Sequence, residues 1–255
     1  MAERDVMRAG TRSSRGRSRD INQDSLIYRD FRPQVDWVLA AVADGMGGHQ
    51  GGEVASRLAV ETLVAVVDRE LTASAVPESV LPLAFDEANR RIMAAAAASP
   101  TRDGMGTTLT AALLRGPVAL LGHVGDSRAY LVRGHEVSQL TQDHTLVGAM
   151  LRNGDLTEVE AMGHPQRHLI TRALGGDGGD AGDFSRHLLE PGDILVLCTD
   201  GLHGLVDRGE IGELAAAKDP RRAADDLVRL AFRRGGHDDI SLIIIEPWER
   251  GGPAA

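Results

Sequence analysis

The chain carries a single cysteine, Cys198, in 255 residues. That excludes an internal disulfide framework and fits a reducing compartment. Aromatic residues are scarce, at 3%, so a core has to be assembled from Ala, Val and Leu. No apolar run approaches the roughly 18–20 residues needed to cross a bilayer. The N-terminal stretch MAERDVMRAGTRSSRGRSRD has basic residues but no apolar segment behind them, which excludes a secretory signal. A basic surplus is missing too. The formal net charge of -9 argues against nucleic-acid binding, which calls for a basic face. The pairs Arg221-Arg222 and Arg233-Arg234 read as solvated helix faces. These absences point to a cytoplasmic protein with no nucleic-acid and no membrane partner, part of whose acidic excess is there to meet cations.

Several reactive signatures are absent as well. A nucleophilic-cysteine loop needs Arg at the sixth place after its cysteine, and Gly204 stands there. Thr199-Asp200-Gly201 follows Cys198, where an aspartyl-phosphate enzyme would have another aspartate. His123, His135, His144, His164 and His168 form no HExxH pair, and most of them read as structural residues. Residues 43–53, ADGMGGHQGGE, follow a strand and precede a helix, yet they fit neither GxGxxG nor a phosphate loop with its Lys-Ser/Thr. Without a side-chain nucleophile, attack on a substrate falls to water. Cys198 is left as a small core residue.

What the chain does have is carboxylates at the ends of hydrophobic runs. Asp44 closes VLAAVAD, Asp200 closes DILVLCTD, and Asp238 opens DDISLIII. A carboxylate at the tip of a buried strand stays charged only against a compensating charge, and a divalent cation is the natural partner. One Asp-Gly pair is merely a turn signal. Its repetition at Asp44-Gly45 and Asp200-Gly201 favours a shared site, with Gly45 letting the backbone approach an ion and offering its carbonyl as a ligand. Asp126 interrupts two apolar runs in HVGDSRAYL, and Asp24 stands just before Leu26-Ile27-Tyr28. Of the neighbours Asp238 and Asp239, one is expected to be only a solvated strand start. The residues alone read as a metal-dependent hydrolase of phosphate esters.

Apolar spacing predicts helices over residues 53–70 and 78–98, the second ending before Ser99-Pro100. Strands are predicted over 35–43, stopped by Asp44-Gly45, and over 194–198 and 240–246. Residues 107–114, 118–124 and 127–132 read as an antiparallel meander, with Arg133-Gly134-His135 turning the last into 136–140. Helical stretches recur near 210–217 and 221–233. Residues 144–170 look like an excursion from the sheet, 10–18 like a loop and 249–255 like a frayed tail. No low-complexity linker and no repeat divides the chain. The expectation is one α+β domain over 1–255, with sheets inside and helices outside.

Arg19-Asp20-Ile21-Asn22-Gln23-Asp24, Asp44-Gly45-Met46-Gly47-Gly48-His49, Gly106-Thr107-Thr108, Gly125-Asp126-Ser127-Arg128, Thr199-Asp200-Gly201 and Gly236-His237-Asp238-Asp239-Ile240 occur in the order seen in PP2C-type (PPM) protein phosphatases. Leu140-Thr141-Gln142-Asp143-His144-Thr145 and His164-Pro165 followed by Ile170-Thr171-Arg172-Ala173-Leu174-Gly175 resemble the bacterial branch. The resemblance covers about residues 10–246. It implies a four-layer α-β-β-α sandwich, two antiparallel sheets flanked by helix pairs. It also implies hydrolysis of phosphoserine and phosphothreonine with Mn²⁺ or Mg²⁺, through a hydroxide bridging two core ions and without a phosphoenzyme.

By the same resemblance, Asp44, the Gly45 carbonyl, Asp200 and Asp238 hold the core ions, several contacts passing through water. Asp126 shares a third, weaker ion with Asp200, and Arg19 grips the substrate phosphate. Residues of about 145–170 correspond to a flap subdomain. The implied partners of this monomer are phosphorylated proteins, the substrates of a bacterial Ser/Thr kinase, and that kinase itself. Some positions depart from the family pattern. Gln23 stands where many members have Glu, which makes it an outer-shell candidate together with Asp24. Asp239 replaces a commoner Asn, and His168 replaces a frequent Asn in the flap. Met46 occupies the place of the general-acid histidine of animal relatives, leaving His49 as the candidate. Two rival readings are a catalytically silent phosphoprotein-binding domain and a small-metabolite phosphatase. Silent members usually lose ligand carboxylates, whereas Asp44, Asp200 and Asp238 are all present here.

Overall fold

Strands that are apolar along their whole length need cover on both faces. The most apolar runs of this chain obtain it by stacking sheet on sheet and helices outside. The computed structural model describes residues 7–32, 34–47, 51–72, 76–176 and 182–247. Strands β1 (Arg8–Ser14), β2 (Asp24–Asp30) and β3 (Val38–Met46) come first, followed by helices α1 (Gly51–Thr72) and α2 (Pro77–Ala97). Strands β4 (Gly106–Thr107), β5 (Leu109–Arg115), β6 (Val118–Val124), β7 (Arg128–Arg133) and β8 (Glu136–Gln139) form the middle of the chain. The short helices α3 (Leu146–Asn153) and α4 (Glu158–Met162) precede strands β9 (Asp183–Leu188) and β10 (Ile194–Cys198). Helices α5 (Asp200–His203), α6 (Arg208–Ala217) and α7 (Pro220–Arg233) lead to the closing strand β11 (Ile240–Glu246).

One sheet has the order β1-β11-β10-β7-β8 and the other β2-β3-β5-β6-β9, with β4 paired to the end of β3. Period-two alternation explains the layers. Leu39 and Ala41 of β3 face α1 and α2, in a core with Leu63, Phe85 and Ile92. Val38, Ala40 and Val42 of the same strand face the other sheet and meet Leu195, Leu197, Ile243 and Ile245. The opposite faces of β10 and β11, with Val196, Leu242 and Ile244, pack on Leu202, Ile211, Leu227 and Ala231 of α5, α6 and α7. The result is the α-β-β-α layering expected above. Among the described residues no helix is long and apolar enough to cross a membrane.

The structure corrects four sequence expectations. Residues 8–14 are not a loop but the edge strand β1, paired along its length with β11. Its Gly, Ser and Arg content hides it, because an edge strand half open to water needs no apolar alternation. Asp44-Gly45 does not stop β3, which continues to Met46 because Thr107 and Gly106 offer it a short ladder opposite Gly45 and Met46. The predicted meander is broken: β6 pairs with β5 and β9, whereas β7 pairs with β10 and β8. The chain therefore crosses from one sheet to the other at Gly125-Asp126-Ser127. Strand β9, exposed at nearly every position, has no sequence signal and was not expected.

Gly10 shows how closely the helix layer sits. A Cβ there would land on the backbone carbonyl of Pro220, at the start of α7. We therefore predict that Gly10→Val lowers the unfolding free energy by about 3 kcal/mol or more, as overpacking against rigid backbone does. Urea denaturation checks this directly.

Candidate metal centre

The strand register collects the acidic residues at one end of the sandwich. Asp24 opens β2 and is the direct cross-strand partner of Asp44 in β3, a like-charge pairing that is unfavourable on its own. Asp200 follows the end of β10, Asp238 precedes β11, and Asp126 sits in the crossing between β6 and β7. The two sheets thus contribute to one cluster. Thr199, the residue before Asp200, donates to Asp24 Oδ2 at 2.9 Å, which brings the tip of β10 against the β2–β3 pair.

The electrostatics follow from this crowding. Burial holds the Asp44 carboxyl well above the usual carboxylate range, and Asp24, Asp200, Asp126 and Asp238 push it further. Burial, reinforced by Asp239 and Asp200, raises Asp24 to about 8 even though Thr199 donates to it. Asp126 is raised to about 7 by burial and then by Asp200 and Asp143. Asp200 is raised by burial and by Asp238. Two oxygens in this cluster, Asp24 Oδ1 and Asp200 Oδ1, are buried without a hydrogen-bond partner. Unpartnered buried carboxylate oxygens fit a hard cation. Among the described residues no group of three or more His, Cys, Asp or Glu side chains is placed to hold a metal ion by itself. What fits is an ion held by few carboxylates, with a backbone carbonyl and water completing its shell, as Mg²⁺ sites commonly are. The backbone at Gly45 packs directly on the start of α1. A Cβ on Gly52 would come 2.6 Å from the Gly45 oxygen, and one on Gly45 would strike the Gly52 carbonyl.

Neutral side chains lock the backbone beneath the acids. Thr108 Oγ1 accepts from the Asp44 N–H at 2.9 Å, and the Thr108 N–H and Thr107 Oγ1 both donate to the Asp44 carbonyl. The Thr108 hydroxyl also bonds Ser127 at 2.8 Å, next to Asp126. Thr199 Oγ1 donates to Asp24 Oδ2 at 2.9 Å and accepts from Ser241 N–H. Sequence reasoning quoted Gly106-Thr107-Thr108 only as a motif. Two adjacent threonines opening an apolar run are the signal in the sequence for this clamp, and both are fully buried.

Of the two neighbours at this strand start, Asp238 is the partly exposed one, its side chain 37% accessible, and Asp239 is not solvated at all. Asp238 bonds Arg19 at 2.6 Å. Asp239 is buried and accepts from the N–H groups of Gly16 and Gln23, each at 2.8 Å. It therefore pins the loop that carries Arg19. Arg19 stands at the rim of the cluster, its side chain 42% exposed. Gln23 supports the site through its backbone: its carbonyl accepts from Gly45 N–H and from Ser56 Oγ. His168 Nδ1 lies 4.0 Å from Asp200 Oδ2, which brings the 144–170 excursion to the acidic end. His49 lies outside the described residues. A cavity of about 730 Å³ lies elsewhere, lined by β1, β2 and the start of α7. Its Arg8 and Arg12 already pair with Asp219 and Asp225.

Known proteins give this arrangement a context. A family model described as protein phosphatase 2C matches residues 12–234, which spans every one of these motifs except Asp238-Asp239. The chain belongs to that family. Serine/threonine phosphatase stp of Listeria monocytogenes is 36% identical over 94% of this chain and 96% of its own length. The crystal structure of the Mycobacterium tuberculosis serine/threonine phosphatase PstP/Ppp superimposes with a TM-score of 0.86 at 38% identity, covering 94% of this chain and 98% of that one. A second structure, the catalytic domain of PstP in complex with two manganese ions, gives a TM-score of 0.82 at 36% identity over 94% of this chain and 98% of the other. The activity of this chain is accordingly that of a protein serine/threonine phosphatase.

The raised carboxyls make a pH prediction for the cation-free protein. A carboxyl whose folded pKa exceeds its unfolded value stabilises the fold below the unfolded pKa. That contribution is lost as pH rises through the folded pKa. With Asp24 at about 8 and Asp126 at about 7, the Tm of protein stripped with EDTA should fall between about pH 5 and about pH 8. Saturating Mn²⁺ should flatten the profile, and Asp24→Asn should reduce its slope. A cation-free Tm that rises over the same range contradicts the cluster.

Proposed function

We propose that this chain dephosphorylates phosphoserine and phosphothreonine in proteins by direct attack of water at the strand-tip carboxylates. The single observation that carries this mechanism is the convergence of strand tips from different sheets: Asp24 lies directly across from Asp44, and Thr199, next to Asp200, bonds Asp24 at 2.9 Å, with a guanidinium at their rim. In this reading Asp44, the Gly45 carbonyl, Asp200 and Asp238 hold two Mn²⁺ or Mg²⁺ ions, and Asp126 shares a third with Asp200. When bound, such ions polarise phosphoryl oxygens and make water nucleophilic near neutral pH.

The chain's own groups do the rest. Arg19 orients the phosphate, because its planar fork can hold two phosphate oxygens at once. Asp239 keeps the Arg19 loop in register with Asp238. Asp24, with Oδ2 on Thr199 and Oδ1 without a partner, would accept hydrogen bonds from water around a bound ion, with Gln23 the other outer-shell candidate. His49 is the candidate donor of a proton to the departing serine or threonine oxygen.

Residues of about 145–170 act as the flap. Their two feet are joined where Thr145 bridges Ile170 and Leu146 N–H donates to the Leu169 carbonyl. The whole of 1–255 forms one catalytic domain. Its substrates in the cytoplasm are the products of a Ser/Thr kinase, and that kinase itself. The silent-domain reading is disfavoured because the carboxylates are gathered and their backbones clamped.

Asp44→Asn should lower turnover of p-nitrophenyl phosphate on the order of 100-fold or more, since even outer-shell changes at metal sites cost 10- to 100-fold. The cation-free Tm should rise, because one like charge has left the cluster. Full activity in this variant removes the ligand assignment. Arg19→Lys should raise KM for a phosphothreonine peptide about tenfold, the loss of one charge-assisted contact, with circular dichroism unchanged. An unaltered KM rejects the role of Arg19.

A further inference from the structure

His144 belongs to no part of the chemistry above, yet three segments meet on it. Its backbone N–H donates to the Gly125 carbonyl at 2.8 Å, and its ring Nδ1 accepts from the Gly125 N–H at 3.1 Å. Gly125 is thus held from both sides, immediately before Asp126. The turn depends on that hold. Gly125 has a φ of 104°, a conformation side chains rarely adopt. A Cβ there would strike Thr108, the residue that clamps Asp44.

On its other edge the ring reaches Asp183, with Nε2 3.0 Å from Oδ2. The Gly125 N–H can only donate, so Nδ1 is the acceptor and the ring proton sits on Nε2, facing Asp183. Arg172 Nη1 lies 2.9 Å from Nε2 and gives its hydrogen to Asp183 Oδ1 at 3.0 Å. Burial, against the pull of Asp183, keeps the ring below its ordinary pKa and therefore neutral. Finally, the His144 carbonyl accepts from both the N–H and the hydroxyl of Thr171, at the far foot of the flap. The Asp126 turn and the flap base are referenced to one residue.

We propose that His144 is a positioning residue that sets the cation affinity of the Asp126 turn from the base of the flap. This rests on the reading of Asp126 as holder of the third, weaker ion. Outer-shell groups that orient a ligand commonly govern metal affinity about 10- to 100-fold. The two ring nitrogens can be tested separately. In His144→Asn the amide oxygen can stand in for Nδ1 and keep Gly125, while the reach to Asp183 is lost. In His144→Gln the amide can reach Asp183, while Gly125 N–H loses its acceptor.

The full chain, stripped of cations, is titrated with Mn²⁺ by calorimetry and by manganese electron paramagnetic resonance, beside Asp126→Asn as the reference. Asp126→Asn is expected to abolish the weakest site. His144→Gln is expected to weaken that same site about tenfold or more and leave the tighter sites alone. His144→Asn should stay within about threefold of the parent. With saturating Mn²⁺, kcat of His144→Gln should recover. A merely structural role predicts instead an equal loss of Tm in both variants without a separate effect on the weak site. The proposal is overturned if His144→Gln gives the parental isotherm while Asp126→Asn does not, or if His144→Asn loses the weak site. If Asp126→Asn itself leaves the isotherm unchanged, the reading of Asp126 fails and the role of His144 goes with it. Should His144→Gln fail to fold, His144→Asn decides: retention of the weak site supports the Gly125 contact, and its loss overturns it.

Discussion

Repulsion among buried carboxylates is the constraint around which this sandwich is organised. Asp24 and Asp44 face each other across a strand pair, and the tip of β10 that carries Asp200 arrives from the second sheet and reaches Asp24 through Thr199. Two like charges about 4 Å apart cost about 4 kcal/mol at an effective dielectric constant near 20. A few such pairs rival the total stability of a domain, about 5–15 kcal/mol. A fully ionised cluster is therefore untenable alone. It must hold protons or gather cations, and a phosphatase of this family uses the second option to do chemistry.

The surrounding structure is built to withstand that strain. The acids sit on backbone that cannot yield: Asp44 is fixed by Thr107 and Thr108, Asp24 by Thr199, and the Arg19 loop by Asp239. Each clamp is a neutral hydroxyl or a carboxylate capped by N–H groups. The threonine hydroxyls satisfy the local polar atoms without adding net charge, and the oxygens of Asp239 are already engaged by the N–H groups of Gly16 and Gln23. The half-buried ion pair of Arg128 with Asp143, closed by three contacts at 2.7, 2.9 and 3.2 Å, stiffens the strand just after the Asp126 crossing. Stability in this end of the molecule serves placement.

How far the sequence could be read follows the same physics. The strands buried on both faces, β6, β10 and β11, announce themselves as unbroken apolar runs and were placed to the residue. The helices α1 and α2 show their periodicity and were placed within two residues. Edge strands did not. Neither β1, with its Arg and Ser, nor β9, open to water, carries an apolar rhythm, since half of the environment that would select one is solvent. The sheet-to-sheet crossing at Asp126 was hidden because local strand signals contain nothing about which neighbour a strand will choose. Asp44, Asp200 and Asp238 were legible as acids where hydrophobicity ends. Asp239 was not told apart from Asp238, because a carboxylate bonded to distant N–H groups looks, in one dimension, like one facing water.

The crossing between the sheets has a further consequence. Asp44 and Asp24 belong to one sheet, Asp200 and Asp238 to the other, and the connection through Asp126 ties them covalently. An ion seated among these groups would act as a rivet through a seam, adding a polar tie at the edge of the apolar interface that already joins the two sheets. Chelation would then loosen the joint between the layers as well as silence the enzyme, so occupancy of the site would double as a gauge of whether the molecule is fully assembled.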